Sequence, residues 1–253
     1  FSVYFVKIVV VGGRTGDHLW GLGNAISQGM VLLSAPLLGA IADYSARKKT
    51  FLFLSYITCS IFTALLYFAK PGEVWMALLL FIIGNFAYST GENLIASFLP
   101  EIAQPEDMGK ISGLGWGLGY IGGLLCLLFC FPFLKGGFVL ENAENLRKVN
   151  LVVAAFFLTA GIPTFLWVRE RKKATSLPEG TNYLSAGLAQ IKQTFIQIQK
   201  FRELFKFLII FGIYNCGVTT VVYFASIYAS ETIGLSALEL IWFFIITQIS
   251  SSL

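Results

Sequence analysis

Long apolar segments separated by short polar turns limit how this chain can fold. Residues 19–42 and 50–68 are apolar, and each is long enough to cross a bilayer as a helix, since about 20 apolar residues span the ~30 Å hydrocarbon layer. Between them lies a short basic turn that contains Arg47, Lys48 and Lys49. Such a turn between two membrane helices is typical of a cytoplasmic loop. The pattern therefore predicts an all-α protein that crosses the membrane several times.

The composition favours a membrane protein over a soluble one. Hydrophobic residues make up 56% of the 253 residues and charged residues 13%, whereas soluble domains carry about 25% charged residues. The mean hydropathy is +0.74. The net charge of +4 is modest and unevenly distributed, which indicates membrane orientation rather than nucleic-acid binding. His18 is the only histidine, and no metal-ligand spacing of Cys and His occurs, so we expect neither a metal nor another cofactor.

Hydropathy along the chain predicts six helices, a polar linker and then further helices. The predicted helices cover residues 1–11, 19–42, 50–68, 74–98, 111–131, 149–168, 206–228 and 237–253. We expect the fifth helix to end at Pro132, and residues 99–110 and 134–147 to be polar loops.

This pattern divides the chain into three parts. They are an N-terminal six-helix half (residues 1–168), a cytoplasmic linker (169–205) and the start of a second half (206–253). Because the first helix lacks its beginning and the last stops within an apolar run, we expect a fragment of a longer protein.

Within the linker, residues 184–205 have the spacing of an amphipathic helix. Apolar side chains recur at three- and four-residue steps at Leu184, Leu188, Ile191, Phe195, Ile198 and Phe205. Two placements fit this periodicity equally: along the membrane surface, or packed on a neighbouring loop as a soluble linker helix.

The basic residues predict the orientation of the chain. If residues 43–49 are cytoplasmic, the loops alternate, and residues 99–110 and 169–206 are cytoplasmic as well. These loops hold most of the 18 basic residues: Arg47, Lys48, Lys49, Lys110, Arg169, Arg171, Lys172, Lys173, Lys192, Lys200, Arg202 and Lys206. The asymmetry follows the positive-inside rule.

The basic turn resembles the motif between helices 2 and 3 of the major facilitator superfamily, G-x-L-A-D-x-x-G-R-R/K-R/K. It is matched in order by Gly39, Ile41, Ala42, Asp43, Arg47, Lys48 and Lys49. Ala46 stands where the family has glycine. Residues 96–103 and 111–123 also resemble the vacuolar amino-acid effluxer (autophagy-related) branch and its bacterial relatives. The resemblance implies a major facilitator-type bundle and a secondary transporter that moves a small polar solute, with amino acids suggested by the branch.

The resemblance also implies a conformational latch. In the family, the acid and the arginine of the motif join helix ends in one conformation and release them in the other, and by position these are Asp43 and Arg47. We expect Arg47 to reach Glu101 after the fourth helix. The simpler alternative is that the basic residues only set orientation and contact anionic lipid headgroups. We favour the latch for Asp43 and Arg47, and the simpler role for Lys48 and Lys49.

Two polar faces are candidates for a substrate or proton site. Glu92 is the only acid well inside an apolar segment, and it shares a helix face with Asn85 and Tyr88. Intramembrane acids are functional candidates, and a structural salt bridge for Glu92 is an equal alternative. Asn215 and Thr219 share a face of a helix that lines the cavity in the resembled fold.

Two further sets of small or polar residues point to helix packing. Asn24 and Gln28 are four residues apart and are expected to join helices within the bundle. The glycine spacing Gly115, Gly119 and Gly123 allows close helix approach. In the resembled fold this helix packs across the interface between halves, where either rocking or static packing would use these glycines.

The remaining features bound the functional class. No nucleotide-binding loop of the G-x-x-x-x-G-K-[ST] type occurs, so we expect an ion or proton gradient, or facilitated export, rather than direct ATP coupling. No nucleophile–base pair or metal set can be assembled, so we do not expect an enzyme. We expect a monomer in a bacterial inner membrane or a vacuolar-type membrane, with a solute, protons and lipids as partners. The competing interpretation is a non-transporting membrane scaffold or sensor that has a transporter fold.

Overall fold

The apolar segments are helical in the computed structural model, which describes residues 1–10, 14–170, 182–197 and 201–252. The helices are α1 (Ser2–Tyr4), which continues as a π-helical turn (Phe5–Val9), α2 (Arg14–Ser45), α3 (Lys48–Leu65), α4 (Val74–Ala96), α5 (Leu99–Ile102), α6 (Met108–Leu134), α7 (Ala143–Trp167), α8 (Tyr183–Gln197), α9 (Arg202–Glu231) and α10 (Ala237–Ser252). Within the described residues, six helices are long and apolar enough to cross a membrane, and no strand occurs. The predicted all-α membrane fold is confirmed.

The predicted polar loops 99–110 and 134–147 are both partly helical, because the first contains α5 and the start of α6 and the second contains the start of α7. Pro132 does not end α6, which continues to Leu134; the proline lacks only its own backbone N–H, so one helical hydrogen bond is lost and the chain completes the last turn. The predicted loop 134–147 is shortened because α7 begins at Ala143, and the pair between Glu144 and Lys148 (2.8 Å) supports its polar first turns. Polar helix ends that project from the hydrocarbon layer resemble loops in sequence.

The bundle has two ends that differ in chemistry. The basic end contains the turn before α3, the α4–α6 connection and residues 168–170 after α7. The opposite end contains residues 69–73, 135–142 and 232–236. A large apolar cluster lies near the opposite end, where the rings of Trp20 and Phe81 are 4.3 Å apart. A smaller cluster at the basic end contains Ala42, Leu52, Leu94 and Phe98.

The linker helix α8 packs on a membrane helix. A Cβ atom at Gly187 would lie 3.2 Å from Cβ of Ala40 and 3.5 Å from Cδ1 of Leu37, both on α2. Leu188 and Ile196 are exposed. The expected placement on a loop is therefore replaced by packing against α2. The membrane-surface placement of α8 stays a prediction.

The predicted end of the amphipathic helix is wrong. Phe205 belongs to α9, which begins at Arg202 because a polar first turn, paired through Lys206 and Glu203 at 2.8 Å, precedes its apolar part. The side chains of Leu184 and Phe195, and the whole of Ile198, lie outside the described residues.

We predict that Gly161→Ala destabilises the bundle at the contact between α3 and α7. A Cβ atom at Gly161 would lie 2.9 Å from Cζ of Tyr56, whose hydroxyl donates to the carbonyl of Leu158 and which therefore cannot move freely. Overpacking of this kind costs about 1–3 kcal/mol. Thermal unfolding in detergent should show a lower melting temperature. Gly119→Ala on α6 is the control, since nothing lies within 4 Å of its Cβ position; equal melting temperatures for the two variants would contradict the prediction.

Candidate functional site

At the basic end, one lysine is buried among carboxylate and carbonyl oxygens. Lys48 is 6% exposed, and its Nζ lies 3.0 Å from Oε1 of Glu101 and 3.4 Å from the carbonyl oxygen of Ser97. Glu170 accepts hydrogen bonds from the backbone N–H groups of Lys48 (2.7 Å) and Lys49 (3.4 Å). These groups bring the start of α3, the end of α4 and the segment after α7 together.

Helix ends explain this arrangement. The first N–H groups of α3 have no partner within the helix, and they carry the positive end of the helix dipole, so the carboxylate of Glu170 is stabilised there. In the reverse direction, Nζ of Lys49 donates to the carbonyl of Val168, just past the end of α7, at 2.7 Å. A side chain that follows α7 thus binds the start of α3, and a side chain at the start of α3 binds the end of α7.

The partner expected for Glu101 was Arg47, and the structure corrects this to Lys48. Arg47 precedes the first helical residue of α3 and is exposed, whereas Lys48 begins the helix and faces the end of α4. The expectation that Lys48 only contacts lipid headgroups is wrong for the same reason. The side chain of Asp43 lies outside the described residues.

The predicted substrate or proton residues fall into separate places. Asn85 and Tyr88 line a cleft of about 340 Å³ between α3, α4 and α7. Asn215 and Thr219 line another cleft, of about 370 Å³, between α2 and α9. Glu92 is exposed on α4 and forms no ion pair within the described part of the chain. The structure therefore does not join the five residues into one site.

Hydrogen bonds connect α2 to both clefts. Nδ2 of Asn85 donates to the hydroxyl of Ser27 at 2.9 Å. Nε2 of Gln28 donates to the hydroxyl of Tyr223 at 2.8 Å and lies 3.5 Å from the hydroxyl of Ser89. Gln28 thus joins helices as expected.

Asn24 was expected to join two helices, but its amide group bonds within its own helix. Its Nδ2 donates to the carbonyl of Trp20 in its own helix, at 2.8 Å. Its Oδ1 is buried and has no hydrogen-bond partner among the described residues. Asn24 and Gln28 both line the cleft between α2 and α9, which Asn215 and Thr219 line from α9.

Sequence reasoning missed the contacts that hold α9 at the opposite end. Nζ of Lys7 lies 3.2 Å from Oε1 of Glu231, and the hydroxyls of Ser2 and Ser226 are 2.8 Å apart. The partners are more than 200 positions apart in the chain, so no local pattern links them. The only indication in the sequence is that a base, Lys7, and an acid, Glu231, each lie at the end of an apolar segment.

Of the three glycines expected at a helix interface, the structure brings one against another helix. A Cβ atom at Gly123 would lie 2.7 Å from Nε2 of Gln248 on α10. Nothing in the described chain lies within 4 Å of the corresponding positions at Gly115 and Gly119. The close contact between α6 and α10 therefore occurs nearer to the opposite end than the glycine spacing alone indicates.

The model of the family described as vacuole effluxer Atg22 like matches residues 19–253. This chain belongs to that family. The chain is similar to the uncharacterized MFS-type transporter YxiO of Bacillus subtilis (strain 168), with 29% identity over 90% of this chain and 54% of the relative. It is also similar to autophagy-related protein 22-1 of Aspergillus niger, with 26% identity over 59% of this chain and 25% of the relative.

Further comparisons define the extent of the match. An uncharacterized protein of Aquifex aeolicus (strain VF5) is 30% identical over 56% of this chain and 35% of that protein. The chain spans about half the length of the first of these relatives and less of the other two. No solved structure gives a significant match. Family membership, together with the six apolar helices of the described residues, identifies a multi-pass integral membrane protein.

The backbone conformation of Ala46 explains why the superfamily motif has glycine at this position. Its φ angle is 47°, in the left-handed region, and it is the only described residue other than glycine with a positive φ. The strained turn lets α2 end at Ser45 and α3 begin three positions later. This family member keeps the turn without the residue that adopts it most easily.

We predict that Ala46→Gly stabilises the protein. A left-handed alanine costs ~1–2 kcal/mol, and the greater freedom of unfolded glycine offsets ~0.5–1 kcal/mol of the relief, which leaves a gain of about 1 kcal/mol. Equilibrium unfolding in mixed micelles measures the change. Ala35→Gly inside α2 is the matched control and should destabilise, because its backbone is helical. A loss of stability at both positions would exclude strain at Ala46.

We predict that Lys48→Met costs far more stability than Arg47→Met. Removing Lys48 leaves the carboxylate of Glu101, whose side chain is 13% exposed, without its ion pair to this lysine, and losses of about 3 kcal/mol are typical of such a break. Arg47 is exposed, so its replacement should have little effect. In unfolding experiments, Lys48→Met combined with Glu101→Gln should cost less than the sum of the single changes. Additive losses would argue against a direct pair.

Proposed function

We propose that the complete protein is a secondary transporter of the major facilitator type that moves a small polar solute by alternating access, with amino acids as the first class to test. The support is membership in a family described as vacuole effluxer Atg22 like and similarity to a relative named as an MFS-type transporter. Neither name specifies the solute of this chain. On this proposal the protein is not an enzyme.

The observation that carries the proposal is the cleft between α2 and α9. Amide and hydroxyl side chains line it from both halves: Asn24 and Gln28 from the first, Asn215 and Thr219 from the second. Polar groups are costly in a membrane interior unless they face one another or a water-filled space. Neutral donors and acceptors of this kind suit a small polar or zwitterionic solute better than a lipid chain.

We further propose a coupling role for Glu92. It lies one helical turn beyond Tyr88, towards the basic end of α4, and it is exposed. A carboxyl group without an ion pair in the described chain is able to exchange a proton or to bind a substrate amine. Asn85 and Tyr88 on the same helix then belong to the route between Glu92 and the rest of the bundle.

The latch is also proposed, in a form adjusted to the geometry. Lys48, Glu101 and Glu170 form its fixed part, which keeps the helix ends of the first half together at the basic end. Asp43 and Arg47 enter by their positions in the superfamily motif. We propose that the basic end is cytoplasmic, with loops 43–49, 99–110 and 169–206 on that side, in a bacterial inner membrane or a vacuolar-type membrane, and that the protein is a monomer that also contacts lipids and protons.

One observation favours the second candidate function, a membrane scaffold or sensor. On α8, Leu188 is 54% exposed and Ile196 is 67% exposed, although the helix is anchored to α2. A partner protein that docks on α8 would use this apolar face. Flux separates the two candidates, because a scaffold does not need it.

We predict that Glu92→Gln abolishes proton-driven uptake. The complete protein is reconstituted in liposomes, a proton gradient is imposed and labelled amino acids are screened in parallel. The amide keeps the size of the side chain but cannot exchange a proton, so gradient-dependent uptake should be lost while binding of solute persists. Glu106→Gln, an exposed acid in the loop before α6, is the control and should transport normally.

The uptake experiment has two further outcomes, each with a different consequence. Uptake that survives Glu92→Gln would remove the coupling role and keep the transporter. Absence of flux with every amino acid, together with capture of a specific partner that depends on Leu188 and Ile196, would replace the transporter with the scaffold.

A further inference from the structure

The contacts between the first half and α9 are concentrated at the opposite end. Residues 223–231 of α9 contact α1 and α2 through Tyr223, Ser226 and Glu231, whereas every residue from 202 to 218 is exposed in the described chain. Within the described residues, α9 is thus attached to the first half at one end only. The attachment combines hydrogen bonds and one ion pair with apolar contacts of Ile227 and Phe224, which pack in the large apolar cluster.

Gln28 lies farther along α2 from the opposite end than Trp20 and has an additional link. Its side-chain NH₂ group has two hydrogens: one bonds to the Tyr223 hydroxyl at 2.8 Å, and the Ser89 hydroxyl lies 3.5 Å from the same nitrogen. Ser89 is 8% exposed and lies on α4, one turn beyond Asn85 and one turn before Glu92. The preceding residue on α2, Ser27, accepts a hydrogen bond from the side chain of Asn85. One amide therefore lies between α9 and the polar face of α4.

We propose that Gln28 is a positioning residue that couples the opening of the opposite end to α4. Separation of α9 from α2 must break the bond between Gln28 and Tyr223, and the freed amide must then turn to Ser89 or to the cleft. An occupant of the cleft that competes for this amide would favour separation. The inference rests on the proposed alternating access, because a static bundle has no need to open at this end.

The size of the effect follows from the bond that is removed. Hydrogen bonds between membrane helices are weak enough that loss of one changes a two-state ratio by about threefold on average. Gln28→Leu removes the whole amide with little change in volume. Tyr223→Phe removes only the partner hydroxyl, so it tests the same bond with less risk to folding.

The experiment measures distance rather than flux. Nitroxide labels are attached to cysteines introduced at Lys70 and Ile233, which are exposed in turns of the opposite end, in the complete protein with its native cysteines replaced and reconstituted in lipid nanodiscs. Pulsed electron paramagnetic resonance then gives the populations of short and long distances. The unmodified pair should show mainly the short distance. Gln28→Leu and Tyr223→Phe should each raise the long population about threefold relative to the short one.

Two controls make the result specific. Thr220→Val removes a hydroxyl from the same helix, one turn from Tyr223, whose bond among the described residues is to the carbonyl of Cys216 in α9 at 2.7 Å, and it should leave the distances unchanged. The Gln28→Leu, Tyr223→Phe double variant should shift the populations no further than either single change, since both remove one bond. Additive shifts, or a shift as large with Thr220→Val, would overturn the proposal.

The test also separates this inference from the proposed function. A single short distance in all variants would overturn the coupling role of Gln28 while leaving flux to be judged by uptake. A threefold shift in a protein that transports no solute would keep the role of Gln28 in opening this end and reject the transporter.

Discussion

Hydrocarbon cannot satisfy a polar group, and this constraint shapes both the helices and the few polar contacts between them. The backbone bonds are satisfied within each helix, so the side chains alone decide where helices meet through polar groups. The contacts that result are sparse and specific: Lys48 with Glu101 at one end, and Gln28 with Tyr223 nearer the other. Apolar packing fills the space between them but does not distinguish one helix arrangement from another as sharply.

Different ion pairs connect the helices at the two ends of the bundle. At the basic end, a lysine with 6% exposure is held by a carboxylate, a carbonyl and a capped helix terminus. At the opposite end, the ion pair of Lys7 and Glu231 has side chains that are 32% and 43% exposed. An exposed pair contributes about 0–1 kcal/mol, whereas breaking a buried one costs about 3–5 kcal/mol. Loss of one partner is therefore more costly at the basic end.

Sequence reasoning predicted the helices well because span length and hydropathy are local properties. It failed where a local pattern fits both a helix end and a helix interior. Pro132 lies inside α6, and Ala143 begins α7 among charged residues. It also failed to choose among three consecutive basic residues. Which of them faces the bundle depends on where α3 begins, and a shift of one residue turns a helical side chain by about 100°. The pairing of Lys48, rather than Arg47, with Glu101 could not be read from the motif.

The location of each contact within the chain matters more than its strength. Lys48 and Glu101 belong to the first half, and Glu170 follows directly after its last helix, so their bonds make that half a firmer unit. Gln28–Tyr223, Ser2–Ser226 and Lys7–Glu231 instead join the first half to α9, and each is weak or partly exposed. The alternating access proposed above favours this distribution, because bonds within a moving unit stay closed while the bonds between units have to break. Buried charge pairs between the first half and α9 would raise the cost of that separation, since a broken buried pair leaves an uncompensated charge.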